Sequence, residues 1–242
     1  VIERFPTTTS AGGADGADIG EITRNNSQFT FGSNGGSATA IIAGGTQGPS
    51  PSVTDQIETF PMAAPTTTSD TGSELSVGRN ACSGGESDTV LFTMAGSTTP
   101  TSGLDDVEVI NKTTYSSADT GSEMASAAFY DGGQSRTSST VAAYKSGGQT
   151  PPGTNLDTVQ KVAFASPYPS TDVGNLVVTG GKYLVTGSSS TTHGYATGGQ
   201  NPGTPTDEVS GSIEKFAYAS DGDATDVAEI SPNRAFCGGT QS

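Results

Sequence analysis

The feature that most constrains this chain is an internal repeat of about 50 residues. An Asp introduces related phrases at Asp18, Asp70, Asp119, Asp172 and Asp226, in the contexts DIGEI, DTGSEL, DTGSEM, DVGNL and DVAEI. The steps between them are 52, 49, 53 and 54 residues. A second phrase recurs ahead of it as IERF (2–5), IETF (57–60), VEVI (107–110), VQKV (159–162) and IEKF (213–216). A third, ending in glycine, recurs as AIIAGG (40–45), LFTMAG (91–96), AAYKSGG (142–148) and GYATGG (194–199). A fixed period of this length means one supersecondary unit copied along the chain.

Composition alone points elsewhere. Leu, Ile, Val and Phe number 39 of 242 residues, about 16%, and the net charge is −15. That combination is usual in disordered chains. Placement decides against disorder. The apolar residues gather into short periodic runs, and Gly, Pro and Asp stand between the runs, as short strands joined by tight turns require. Val, Ile, Phe, Tyr and Thr dominate the runs, and no segment keeps a 3.6-residue period, so the chain is expected to be all-β.

Each unit reads as four short strands, with units at about 24–76, 77–125, 126–178 and 179–230. The remaining segments, 231–242 and 1–23, read as parts of a fifth. One such sheet cannot bury both faces, so neighbours must stack on one another. Radial stacking of four-stranded blades gives a β-propeller, and the whole of 1–242 is expected to be one domain of that kind. The N-terminal segment begins at a third strand and the C-terminal segment stops after a first strand, so five blades are expected, the last shared by the two ends and lacking a second strand unless a loop or partner fills that place; the alternative is that more sequence follows Ser242 and the ring is larger. Val1 in place of Met fits a processed, excised or partial chain.

The residues match a family. The order is an Arg, a strand, GYATGG, a loop, SIEKFAYAS, then DATDVAEISPNR. It resembles the kelch repeat, with a first strand after an Arg, a second ending in a double glycine, a third of the form V-E-x-F/Y and a fourth closing before the next Arg. The resemblance covers nearly the whole chain. It departs from kelch in lacking the usual fourth-strand Trp, where Ile19, Thr71, Thr120, Val173 and Val227 lie, and in replacing one glycine by Ala95. The wording of 187–230, notably SSSTTHGYATGG and IEKFAYASDGDATDVAEI, resembles kelch-like repeats in structural proteins of tailed phages of marine cyanobacteria. That resemblance implies a virion component (a fibre, appendage or decoration protein) and no enzyme. It further implies other virion proteins and host-surface glycans as partners, an oligomeric assembly, and a place on the virion or outside the cell. The alternative from another class is a secreted, lectin-like propeller that binds carbohydrate between its blades.

The charge excludes some partners. A pI near 4.1 with ten scattered Lys and Arg offers no basic stripe for nucleic acid or for an anionic membrane surface. No apolar run approaches the ~20 residues of a membrane span.

Chemistry is sparsely represented. His193 is the only histidine, which leaves no His-rich metal site and no defensible Ser/His/Asp set. Copper oxidases built on kelch-like propellers need more than one His ligand. His193 is expected in an exposed loop or strand edge. Asp221, Asp223 and Asp226, in DGDATD, are the calcium candidates, since calcium takes several oxygens from a short turn. The competing reading has the recurrent Asp bonding its own backbone in a turn before the fourth strand. Tyr144 and Tyr195 precede glycine ends and are candidates to stack on sugars or to pack between blades. The glycine pairs lack the Lys-Ser/Thr of a phosphate loop, so they read as strand ends where a side chain would clash. Asp105-Asp106 and Asp207-Glu208 read as solvated loop charge. Cys82 and Cys237 hold equivalent repeat positions and read as small buried residues. Asn25-Asn26-Ser27 and Asn111-Lys112-Thr113 are glycosylation sequons that matter only in a eukaryotic secretory route. No cofactor is expected.

Overall fold

A computed structural model describes residues 2–4, 17–21, 31–33, 38–47, 52–62, 67–99, 102–128, 134–135, 137–151, 153–201 and 208–235. Among these residues every regular element is a β-strand. No helix is long and apolar enough to cross a membrane.

Four antiparallel sheets follow one another along the chain. The first contains Phe31–Ser33, Thr39–Ala43, Gln56–Pro61 and Ser69–Glu74. The second contains Ser83–Glu86, Val90–Met94, Ser102–Asn111 and Ser117–Ala128. The third contains Ala142–Ser146, Thr158–Ala163 and Ser170–Asn175, with Ser138 bridged to Ala143 in the first-strand position. The fourth contains Thr186–Ser189, His193–Thr197, Ser212–Ala217 and Thr225–Glu229. Gln134–Ser135 runs parallel to Thr186–Gly187 and so joins the edge of the fourth sheet rather than its own. A separate pair, Ile2–Arg4 with Ala17–Gly20, is also antiparallel.

The repeat fixes the register. Second and third strands align Ile41 with Thr59, Phe92 with Val109, Tyr144 with Lys161, and Tyr195 with Lys215. Third and fourth strands align Glu58 with Asp70, Glu108 with Asp119, Gln160 with Asp172, and Glu214 with Asp226. Glu3 faces Asp18 in the same way. A register shift sits beside each of these pairs. It corresponds to a β-bulge, in which one strand carries an extra residue.

The recurrent Asp therefore lies inside the fourth strand, at that bulge, and not in a turn ahead of it. At Asp70, Asp119 and Asp172 the side chain bonds its own backbone. Asp70 accepts from the Gly72 N–H at 2.8 Å and Asp119 from the Gly121 N–H at 2.9 Å. Gly72 and Gly121 have φ of 72° and 70°, the left-handed backbone that glycine adopts without a Cβ clash.

Hairpins between first and second strands share one device. The hydroxyls of Ser87, Ser139 and Ser190 accept from the N–H groups of Val90 (3.2 Å), Ala142 (3.0 Å) and His193 (3.0 Å). The register and the turns are thus written into the same few residues of each unit.

The core lies between sheets. Ile41, Ile57 and Leu75 of the first pack with Cys82, Leu91 and Ile110 of the second. Phe92, Met94 and Val107 of the second pack with Ala143 and Val162 of the third. Tyr144, Val159 and Leu176 pack with Val185, Ala196 and Phe216. The third sheet is covered on both faces, and all five residues of Ala142–Ser146 are buried. In the fourth sheet His193–Thr197 and Ser212–Ala217 alternate between buried and half-buried. Strand side chains point to opposite faces in turn, so this alternation marks one covered face and one less covered.

Candidate functional site

Buried charge is the first thing such a scaffold must account for, because an ion removed from water is costly unless it is paired. Arg79, fully buried, donates to Asp106, to Glu108 at 3.0 Å and to the Ala95 carbonyl at 3.2 Å. Lys182 and Glu214, both fully buried, meet at 2.7 Å. These cations open the second and fourth units, and each pairs with the third-strand acid of its own unit.

That acid also reaches back into the preceding unit. Glu108 accepts from the Ser76 N–H at 2.5 Å and Glu214 from the Val177 N–H at 2.6 Å. In the third unit Gln160 accepts from the Ala125 N–H at 2.7 Å. Each donor directly follows a buried apolar residue: Leu75 and Leu176 just past the end of a fourth strand, and Met124 within the longer strand Ser117–Ala128. The V-E-x-F phrase thus encodes a tie from one unit to the next, and glutamine can make it because only an acceptor is needed.

The glycine pairs make a second tie. Gly45, Gly148 and Gly199 donate to the carbonyls of Arg79 (2.8 Å), Lys182 (2.9 Å) and Arg234 (3.0 Å). A Cβ on the preceding Gly44, Gly147 or Gly198 would lie 2.5, 2.3 or 2.3 Å from the same carbonyl oxygens. A side chain would clash there, since backbone must approach backbone.

Beyond each glycine end the chain leaves its sheet as a two-stranded ribbon. The ribbons are Thr46–Gln47 with Ser52–Val53, Ser97–Thr99 with the start of Ser102–Asn111, Gln149–Thr150 with Thr154–Asn155, and Gln200–Asn201 with Glu208–Val209. Each joins the end of a second strand to the start of a third, so all four stand on one rim of the stacked sheets. The stretches 46–54, 97–104, 149–156 and 200–206 contain no Asp, Glu, Lys or Arg, and they hold seven of the 13 prolines. Asp follows each stretch, at Asp55, Asp105, Asp157 and Asp207. Fourth strands are the opposite, exposing Asp70, Glu74, Asp119, Glu123, Asp172, Asp226 and Glu229.

In the second and fourth units the residue after the opening cation pairs with a ribbon of its own unit. Asn80 donates to the Thr46 hydroxyl at 2.8 Å and accepts from the Ser97 hydroxyl at 2.6 Å. Its backbone pairs with Ser97 in both directions, at 3.0 and 2.9 Å. Tyr183 is the counterpart in the fourth unit. Its backbone pairs with Gln200 in both directions, at 3.1 and 2.8 Å. Its ring is half-buried. Beside it the Asn155 amide reaches the Gly181 carbonyl at 3.5 Å, and Gln149 donates to the Asn155 carbonyl oxygen at 3.0 Å.

The residues singled out from sequence lie elsewhere, near the other end of the sheets. Tyr144 is 2% exposed. It stacks on Tyr218 with ring centroids 4.9 Å apart and 24° between planes, and meets Phe216 at 5.5 Å. Burial raises the Tyr144 pKa, opposed by the charge of Lys161 and by the nearby Ser139 hydroxyl. Burial pushes Tyr218 up to about 12, opposed by the Ser189 hydroxyl. Both phenol oxygens are buried without a formed hydrogen bond among the described residues. Tyr144 is thus packing between sheets, and its ring is not available as a sugar platform. Tyr195 is half-buried.

His193 sits at the hairpin, half-buried, with Nδ1 2.8 Å from the Thr192 hydroxyl. Asp221 pairs with Lys161 at 3.2 Å. Asp223 accepts from the Asn175 N–H at 2.9 Å and from its side-chain amide at 3.2 Å. Asp226 is exposed in the fourth strand. Two of the three carboxylates therefore tie the fourth unit to the third. Among the described residues no three His, Cys, Asp or Glu gather as a metal site. Cys82 is fully buried. Asp105 and Asp106 are half-buried, and Asp106 binds Arg79. Asn111 caps its own turn, accepting from the Thr113 and Thr114 N–H groups at 2.9 and 3.0 Å. Cys237, Asp207 and Asn25-Asn26-Ser27 lie outside the described residues.

Three features were missed from sequence: the buried Lys182–Glu214 pair, the aromatic partner Tyr218 and the half-buried Tyr183. The first had a signal, because Lys182 stands where Arg79 stands in its own repeat.

Neither a protein-family model nor a curated protein matches the sequence. Solved structures do share the fold. Among them is YjhT, a kelch-type propeller, with a TM-score of 0.71 and 10% identity over 87% of this chain and 73% of that one.

Proposed function

We propose that this chain is a five-bladed propeller acting as a non-enzymatic structural or adhesive component of a virion. It presents its loops to a host surface or to neighbouring subunits. The observation that carries this reading is the commitment of buried charge. Arg79, Glu108, Lys182 and Glu214 spend their interactions on joining strands and units, and the ribbons project from the body so joined. Such a scaffold suits loop contacts that are individually weak and are multiplied by copy number.

The ties support a fifth blade. Glu3 faces Asp18 in the register that pairs Glu214 with Asp226. The Arg234 carbonyl accepts from Gly199 as the Lys182 carbonyl accepts from Gly148. The less covered face of the fourth sheet, which carries Tyr195, is where a fifth blade would pack. The repeat wording of 187–230 supports the virion reading. Other virion proteins and host-surface glycans are the partners it names.

The test is competition. The purified chain, added to cells before intact particles, is expected to lower particle adsorption in a dose-dependent way. Unchanged adsorption, with no retention of the chain on cells or particles, would count against the reading.

A further inference from the structure

We propose that the Asp221–Gly222 peptide is a modification site, which converts spontaneously to isoaspartate and so loosens the seam between the third and fourth units. The loop 218–224 crosses that seam, and its second half is docked. The Ala224 N–H donates to the Asn175 carbonyl at 2.8 Å. Asp223 accepts from the Asn175 N–H at 2.9 Å and from the Asn175 side-chain amide at 3.2 Å. The Gly222 carbonyl lies against Gly174, so closely that a Cβ on Gly174 would meet its oxygen.

The first half of the loop is different. The Asp221 side chain is 58% exposed, and its ion pair with Lys161 at 3.2 Å lies at the surface, where such a pair restrains a side chain only weakly. Among the described residues no acceptor takes the Gly222 N–H. Asp221 is also the one Asp or Asn among the described residues that a glycine follows. A glycine leaves its nitrogen unshielded by a side chain and its backbone free to turn. The chemistry needs only water. The Gly222 nitrogen attacks the Asp221 side-chain carboxyl carbon, the N–H proton and the carboxyl OH depart as water, and a succinimide ring closes. Water then adds to one of its two carbonyls. Opening at the side-chain carbonyl restores aspartate. Opening at the main-chain carbonyl leaves Gly222 bonded through the side chain, as isoaspartate. The main chain thereby gains one carbon immediately before Gly222, where Gly174 leaves it no room to shift. Asp223 is spared this route, because Ala224 follows it and Asn175 holds its carboxylate.

The test ages the purified full chain for weeks at neutral pH and body temperature. Tryptic mapping then isolates 216–234, and isoaspartate is read by fragmentation and by isoaspartyl methyltransferase with labelled S-adenosylmethionine. Asn34-Gly35, Asp15-Gly16 and Asp131-Gly132 lie outside the described residues and fall in other tryptic peptides. Isoaspartate is expected at Asp221 and not at Asp223 or Asp226. Gly222→Ala should lose most of it. That Cβ meets open space and a backbone outside the left-handed region, so the variant should melt with the parent. Asp221→Asn, which expels ammonia in place of water, should convert several-fold faster. In the aged chain the N–H groups of Asn175 and Ala224 should exchange faster with solvent than in fresh chain. An unmodified 216–234 peptide, equal conversion in Gly222→Ala, or no gain in Asp221→Asn would overturn the site. Conversion with unchanged exchange at Asn175 and Ala224 would overturn the loosening.

Discussion

Replacing Glu214 isolates the tie between units. The carboxylate is fully buried and holds three partners: Lys182 at 2.7 Å, the Ser212 hydroxyl at 3.1 Å and the Val177 N–H at 2.6 Å. Glu214→Ala leaves a buried ammonium whose remaining described partner is the Ser212 hydroxyl, at 3.1 Å, and an amide without its acceptor. Breaking a buried pair by removing one partner costs about 3–5 kcal/mol. In a chain of this size each kcal/mol shifts the melting temperature by about 2–4 °C, so a fall of roughly 6–20 °C is expected. Glu214→Gln keeps an acceptor for Val177, as Gln160 does for Ala125, and removes only the charge. Combining it with Lys182→Met removes the stranded cation as well. The double variant should be more stable than Glu214→Gln alone, because an apolar replacement of a buried pair is often neutral. Urea unfolding measures all three through midpoint and slope. A cost below about 1 kcal/mol for Glu214→Ala, or a double variant no better than Glu214→Gln, would refute the reasoning.

Three further outcomes follow. Gly147→Ala puts a Cβ 2.3 Å from the Lys182 carbonyl at a φ of 71°, and urea unfolding should register more than about 2 kcal/mol. Gly121→Ala has similar φ but open space around it, so only about 1–2 kcal/mol of left-handed strain is expected; equal costs would discount the clash. Tyr218 carries a folded pKa of about 12 against 10.0 when unfolded. The unfolded chain loses that proton first, so its contribution to stability is whole below pH 10 and is lost as pH rises toward 12. Melting between pH 9 and 12 should therefore fall more steeply for the parent than for Tyr218→Phe, and parallel curves would contradict this. In a closed ring the Ser231 N–H takes the place of those of Ser76, Ala125 and Val177, and hydrogen exchange should find it comparably protected; rapid exchange would argue for an open fourth sheet.

Much of this architecture could be read from the chain. The Asp-x-Gly phrase encodes the bulge of the fourth strand, the double glycine encodes close backbone approach, and the recurring Ser encodes the first hairpin. Each is a local rule, legible because the residues concerned bond within a few positions of themselves or at one fixed place in the repeat. Position in space was less legible. The sequence points the recurrent Asp to a turn because side-chain-to-backbone bonds serve turns and bulges alike. Tyr144 and Asp221 were candidates for ligands by residue type, yet their partners Tyr218 and Lys161 come from neighbouring units, a pairing that no local pattern reports. Ala81 and Leu184 adopt φ of 50° and 56° at equivalent positions. Neither residue favours that backbone, so the constraint comes from the packed sheets and leaves no mark in the sequence.

Immunolabelling of purified particles with antibody to the chain tests most directly the proposal that this scaffold serves on the outside of a virion. The account predicts several labels per intact particle, removed by antibody pre-absorbed with the purified chain. Label confined to cell extracts, with none on particles, would contradict it.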